Sequence, residues 1–297
     1  MPAENSCPTV VLVAFYNTKA LGVRYLETAL EKAGYNVQII FYKTFNSVHP
    51  SKTTETELKL LTDRIRRADP ALIGLSVMSS MYLDTVELVI GAINRNFDLP
   101  VAYGGAFATM FPQRFLRRAG KDFVIRTDGE HPLCALADAI VSGGDYRSIP
   151  SLCYLEQGEP VINPIGGMEN DIDNYGLPTI NSKQSCFIEH DKLVEGDPQL
   201  GTLSYEVIAS RGCPFTCSYC CCVNLRRLLP KGIHGVRTRS VKSVIDELVE
   251  AKKKCKKLVF IHFYDEIFPN LPGWVDEFVK EYGKRIHLPF TIWSHPK

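Results

Sequence analysis

Cys213, Cys217 and Cys220 lie in the stretch RGCPFTCSYCCC, Arg211 to Cys222, with the spacing C-x-x-x-C-x-x-C. Three thiolates from one short loop can each hold one iron of a cubane cluster, because the loop need wrap only one corner. The remaining iron then has no protein ligand and stays open to a small molecule, whereas Fe–S clusters more usually take four cysteines. A structural zinc ion takes four protein ligands, usually from two separated C-x-x-C or C/H knuckles. Cys221 or Cys222 is at hand as a further sulfur, but adjacent side chains point in different directions and share one tetrahedron poorly. Zinc and a chance gathering of buried thiols stay as the bland alternatives. The largely apolar run Tyr205-Glu206-Val207-Ile208-Ala209 precedes the loop, so the cysteines are expected to leave the end of a β-strand.

RGCPFTCSYC resembles the cluster loop of the radical S-adenosylmethionine (SAM) superfamily, including the aromatic Tyr219 before the last cysteine. The resemblance implies a 4Fe-4S cluster on Cys213, Cys217 and Cys220, with the amino and carboxylate groups of SAM on the open iron and Tyr219 near the adenine. It also implies reductive cleavage of SAM, fed by an electron donor such as flavodoxin or ferredoxin. The resulting 5′-deoxyadenosyl radical takes hydrogen from an unactivated carbon, while the protein orients the cofactor and excludes solvent. Asp265 and Glu266 follow a second apolar run, Leu258 to Tyr264, at the strand end that forms the functional face of barrel folds. A carboxylate there can accept hydrogen bonds from the SAM ammonium, as an acidic residue does at this place in the family; the alternative is a surface-turn acid. Arg211 is expected to orient the loop, and His262, inside an apolar strand, to be a satisfied core histidine.

These groups need elements to hold them. Val10 to Phe15 (VVLVAF) is a continuous apolar run, as in a strand buried on both faces. The following helix carries apolar or small residues at Gly22, Tyr25, Leu26, Ala29, Leu30 and Ala33, one helical stripe closed by Gly34. Val37 to Tyr42 is a second strand. Thr54 with Glu57 makes a capping box before a helix bearing Leu58, Leu61 and Ile65. Further strands are predicted at Ala71–Val77, Pro100–Gly104 and Phe123–Arg126, and further helices at Tyr82–Asn96 and Leu133–Val141. Strands and helices alternating over short connections predict a parallel sheet covered on both faces.

Ligands of such sheets sit at the carboxyl ends of the strands. Asn17 to Gly22, Ser76 to Met78, Tyr103 to Ala106 and Thr127 to Glu130 are placed there, with glycines that let a flat or bulky ligand come close or that serve tight turns. No G-x-G-x-x-G fingerprint is present, which argues against a nicotinamide or flavin dinucleotide. As a set these segments resemble the cobalamin-binding domain attached to many radical SAM enzymes, with its D-x-H-x-x-G, S-x-L and G-G elements. Asn17 stands for the aspartate, Lys19 for the histidine and Gly22 for the glycine. Ser76 and Met78 match the second element with one substitution, and Gly104-Gly105 match the last. Gly129 and Glu130 join them as candidate cobalamin contacts. With Lys19 in place of the histidine, this motif offers no imidazole to the lower face of cobalt; a domain that binds nothing is the alternative.

Gly143 to Ile162 reads as a turn and a hairpin around Gln157-Gly158. About Asn163 to Gly201 is rich in Gly, Asn, Asp and Pro and is expected to be a linker without regular structure. Ser240 caps a helix bearing Val241, Val244, Ile245, Leu248 and Ala251. Its end carries a lysine run, Lys252 to Lys254, expected to be a solvated helix end rather than a nucleic-acid patch. Trp274–Tyr282 is a helix and Phe290–Trp293 a strand.

The expected class is therefore α/β, with a Rossmann-like cobalamin-binding-like domain over 1–147, a hairpin and linker over 148–200, and the first part of a partial (β/α)6 radical SAM barrel over 201–297. That barrel is expected to be incomplete, and the chain a fragment. Bulk properties agree with a globular protein: 297 residues, 45% apolar, 23% charged. A net charge of +1 gives no electrostatic reason to propose nucleic acid or an anionic membrane as partner. No apolar run approaches the roughly 18 residues of a membrane helix, and MPAENSCPTVVLVAF lacks the features of a signal peptide. Dispersed cysteines suit a reducing cytoplasm. The leading expectation is a cobalamin-dependent radical SAM enzyme, with methyl transfer to an unactivated carbon foremost. The alternatives are a radical SAM enzyme of another reaction type (cyclisation or rearrangement) with a non-binding first domain, and a non-catalytic zinc or interaction protein.

Overall fold

The computed structural model describes residues 7–46, 48, 50–180 and 184–295. The chain divides into two compact units: one runs to Gly167 and also takes the segment ending at Asp197, the other holds Met168–Ile180 and the chain from Pro198 onward.

In the first unit, β1 (Thr9–Phe15), α1 (Leu21–Lys32), β2 (Asn36–Tyr42), α2 (Glu55–Ala68), β3 (Leu72–Ser76) and α3 (Leu83–Asn96) alternate as the periodicity predicts. They are followed by β4 (Val101–Gly104), the short α4 (Ala106–Met110), β5 (Asp122–Ile125) and α5 (Glu130–Ser142). The hairpin of β6 (Leu152–Glu156) and β7 (Glu159–Ile162) turns at Gln157-Gly158, both at positive φ. Alternate side chains of one strand feed opposite cores. Val11, Val13, Ile73 and Leu75 pack with Leu61, Ile65, Val89 and Ile93 on one face, while Val10, Leu12 and Phe41 pack with Val23, Leu30 and Leu136 on the other. The capping box is present: Glu57 N donates to Thr54 Oγ1 at 3.1 Å, and Thr54 N to Glu57 Oε2 at 3.0 Å.

The segment expected to be an irregular linker instead contributes β8 (Ser185–Glu189) and β9 (Lys192–Glu195) to this sheet. β8 pairs in parallel with β2, and β9 folds back antiparallel on it. Cys186 and Ile188 are buried through that pairing, and a strand this short forms only because β2 offers its edge. The described strands thus run β7-β6-β5-β4-β3-β1-β2-β8-β9. The chain order reverses between β1 and β3, which is the topological switch point.

In the second unit, β10 (Ser204–Val207) is followed by the two-residue β11 (Ser210–Arg211), α6 (Cys221–Arg227) and the two-residue β12 (Arg237–Thr238). Then come α7 (Val241–Lys254), β13 (Phe260–Phe263), α8 (Trp274–Arg285) and β14 (Phe290–Thr291). β10, β13 and β14 form a parallel sheet, as the opening β/α units of a barrel would. Tyr205, Val207, Ile261 and Phe263 pack under Val244, Leu248 and Phe278. The lysines closing α7 partly bind backbone: Lys252 Nζ donates to Ile286 O at 2.6 Å and Lys254 Nζ to Ile180 O at 3.1 Å. Among the described residues no helix is long and apolar enough to cross a membrane.

Candidate cofactor sites

The cysteine loop leaves the carboxyl end of β10 by way of β11, as predicted. Gly212, at φ 99°, crosses so close beneath the returning chain that a Cβ would stand 2.0 Å from Gly235 O, so glycine is required there. Arg226 Nη1, from α6, donates to Cys213 O at 2.9 Å, and Cys220 N donates to Cys217 O at 3.1 Å. Phe215 stacks on His295 with ring centroids 4.1 Å apart. Cys213, Cys217 and Cys220 are all half-exposed on this one loop. Tyr219, hydrogen-bonded to Cys217, is 91% exposed. Cys221 is exposed, whereas Cys222 sits beside Cys220; burial, the hydrogen bond to Cys220 and nearby Glu266 push its thiol up.

Among the described residues no three His, Cys, Asp or Glu side chains converge as a single metal ion requires. A cubane makes no such demand, because each thiolate holds a different iron. Three half-exposed cysteines on one loop are a donor set of the right chemistry for it.

Asp265 is turned inward. It is 2% exposed, and its carboxylate accepts Ser210 N at 2.5 Å, Ser210 Oγ at 2.7 Å and Ala209 N at 2.9 Å. Burial pushes its pKa up to about 6 against the pull of these donors. Its task is to fasten the end of β13 to the start of the cysteine loop, which corrects the expectation of a SAM contact. Glu266, next to it, is exposed and close enough to Cys222 to act on its thiol. His262 is a second correction, being half-exposed rather than in the core. On the sheet face opposite Ile261 and Phe263, it lies in register between Glu206 and Thr291. Its Nδ1 is 2.5 Å from Thr291 Oγ1, and its ring meets Tyr264 and Trp293.

In the first unit, the predicted segments after β1, β3 and β4 lie side by side at the switch point, with Ala14, Ser76 and Gly104 in register. Asn17 Oδ1 accepts Lys19 N at 2.9 Å and Ala20 N at 2.8 Å, so its side chain builds the turn into α1. A Cβ on Gly22 or Gly104 would meet nothing within 4 Å. Gly105, at φ 95°, is pressed against Val77 O. Met78, whose Sδ lies against Gly105, stands exposed there. An open glycine edge flanked by an exposed thioether fits a broad, flat, mostly apolar ligand such as a corrin. After β5, Gly129 caps α5, where a Cβ would meet Leu26 of α1, and Glu130 is buried in the first turn of α5.

Sequence reasoning missed two buried ion pairs that brace this edge. Arg24 makes a two-pronged contact with Asp197 (Nη1 to Oδ2 2.5 Å, Nη2 to Oδ1 2.8 Å), and Lys43 Nζ lies 2.7 Å from Glu57 Oε2. Arg24 lies off the apolar stripe read for α1, so periodicity carried no signal that it would be buried.

The segments at the switch point have known counterparts. Residues 8–137 match the B12 binding domain family. This region and the unit after it resemble the radical SAM methyltransferase TsrM of Kitasatospora setae, solved with tryptophan substrate and a SAM analogue (TM-score 0.71, 21% identity, 97% of this chain and 55% of that one). The cobalamin-dependent SAM radical enzyme OxsB, solved with aqua-cobalamin and SAM, gives a TM-score of 0.66 at 18% identity, covering 96% of this chain and 38% of that one. At such identities the likeness establishes the fold. In sequence, an uncharacterized methyltransferase of Pyrococcus horikoshii is 28% identical over 52% of this chain and 32% of its own length. The cytidylyl-2-hydroxyethylphosphonate methyltransferase of Streptomyces wedmorensis is 23% identical over 94% of this chain and 56% of its own. The chain thus spans between about a third and just over half of these relatives.

Proposed function

We propose that the chain carries the cofactor-binding part of a cobalamin-dependent radical SAM enzyme, with methyl transfer to an unactivated carbon as its reaction. The observation that carries this is the three-cysteine loop at the end of β10, in one chain with a B12 binding domain. When bound, the cluster supplies one-electron cleavage of SAM, and cobalamin a methyl group. Cys213, Cys217 and Cys220 would hold the first, leaving one iron for SAM. Glu266 is the carboxylate available to the SAM ammonium, and exposed Tyr219 the ring available to its adenine. Asp265 keeps both strand ends in place without touching SAM. On the first unit, Gly22, Ser76, Met78, Gly104 and Gly105 would face the corrin, with Asn17 shaping the adjoining turn and Lys19 standing where the family has histidine. A flavodoxin or ferredoxin would deliver the electron.

Anaerobic reconstitution with iron and sulfide, followed by metal analysis and assay of 5′-deoxyadenosine, tests this. About four irons per chain are expected for a cubane, with Cys217→Ala losing both iron and SAM cleavage. One zinc per chain, or 5′-deoxyadenosine formation retained by Cys217→Ala, would sink the proposal.

A further inference from the structure

The segment Met168–Ile180 belongs to the second unit, although the chain on either side of it belongs to the first. It grips both ends of the excursion that carries the cysteines. At the outgoing end, the Arg211 guanidinium lies over the buried ring of Tyr175, 4.8 Å from its centroid. At the returning end, Asn170 Nδ2 donates to Gly232 O at 2.8 Å while its Oδ1 accepts His234 N at 2.9 Å. Arg237 Nη1 donates to Glu169 O at 2.8 Å, and Ser240 N donates to Asp173 Oδ2 at 3.1 Å. The strap is internally braced, since Glu169 N donates to the Tyr175 hydroxyl at 2.9 Å and Asp171 caps the turn Ile172–Tyr175.

The ladder of β11 and β12 pairs only Ser210 with Thr238 and Arg211 with Arg237. So short a ladder is marginal alone, and ordering the long excursion above it costs chain entropy. We propose that the strap is a positioning device for the cysteine loop, with Tyr175, Arg211 and Asn170 as its positioning residues. It sets the arrangement of the Cys213, Cys217 and Cys220 thiols before any cluster is present. The proposal rests on the cluster assignment only for the loop's purpose; the hold of the strap on the loop is a property of the metal-free chain.

The test compares Tyr175→Leu and Asn170→Ala with Tyr175→Phe, which keeps the ring, and Arg211→Lys, which keeps the cation. In the metal-free full chain, iodoacetamide labelling of each thiol is followed by peptide mass spectrometry. Cys255, 1% exposed in the second unit's core, reports whether that unit stays folded. Tyr175→Leu is expected to speed labelling of the loop thiols about tenfold, the scale of losing a desolvated cation–π contact that restrains a local opening. Asn170→Ala, at an exposed site, should speed it several-fold, with Cys255 protected in both, Arg211→Lys close to wild type, and Tyr175→Phe, which keeps the ring but loses the brace to Glu169 N, well below Tyr175→Leu. After reconstitution, Tyr175→Leu and Asn170→Ala should also alter the electron paramagnetic resonance signal of the reduced cluster. Unchanged labelling in both variants, with Cys255 protected, overturns the proposal; should Tyr175→Leu expose Cys255, Asn170→Ala decides. Wild-type protein that takes up no four-iron cluster, alongside variants that still label faster, would refute the cluster assignment and leave the strap's role standing.

Discussion

Asp265 shows how a side chain can sit where catalysis is expected and serve the scaffold instead. Its carboxyl joins Ala209 and Ser210, the residues from which the cysteine loop departs. Asp265→Ala leaves those buried N–H groups without an acceptor, a loss of about 2–3 kcal/mol; urea denaturation followed by a signal from the second unit checks this. The titration has a definite sign. A folded pKa raised from 3.8 to about 6 means the native state holds the proton more tightly than the unfolded chain does. The stabilisation from this group is therefore fully present at the unfolded pKa and below, and is lost as pH rises through about 6, amounting to up to roughly 3 kcal/mol. Wild type should gain urea resistance between about pH 7.5 and 5 relative to Asp265→Asn, which lacks this titration; parallel pH profiles would contradict the assignment. Gly212 makes a second case at this scale. Gly212→Ala drives a methyl into Gly235 O and forces a strained φ, so iron uptake should fall sharply while Cys255 remains protected from alkylation.

Among the elements, the β8–β9 return is the least expected, and buried contacts hold it. Arg24 and Asp197 are buried, and the Arg24 guanidinium also lies over the Phe41 ring at 4.9 Å. Glu189, at the end of β8, accepts Thr44 N at 3.0 Å and so ties the return to the loop after β2. Removing one partner of a buried pair leaves an uncompensated charge, at about 3–5 kcal/mol. Asp197→Ala should therefore lower the urea midpoint of the first unit far more than Glu195→Ala, which removes the exposed carboxylate paired with Arg64 and is worth about 0–1 kcal/mol. The core strands were legible because runs such as VVLVAF state their burial on both faces. β8 and β9 were not, because a short alternation among Gly, Asn and Pro acquires meaning only from the strand beside it.

At the scale of the whole molecule, the two candidate cofactor sites occupy corresponding places, each at the carboxyl ends of parallel strands in its own unit. The glycine edge of the first unit can be tested without disturbing its core. Gly104 has room for a side chain, so Gly104→Leu should fold as wild type does yet block a flat ligand. Hydroxocobalamin that co-elutes with wild type on desalting should be lost from Gly104→Leu, while the melting temperature stays the same. Equal corrinoid content in the two would place the ligand elsewhere.

The sequence alone determined what depends on local spacing: the C-x-x-x-C-x-x-C loop, the strand before it, the alternation that makes the parallel sheet and the glycines at its strand ends. Tertiary structure decided what depends on partners distant along the chain. It sent Asp265 inward to Ser210, brought His262 out to Thr291, and laid Tyr175 beneath Arg211. The reason is physical: periodicity says which face of an element is apolar, but a polar side chain's role is set by which donors and acceptors the fold brings within hydrogen-bonding reach.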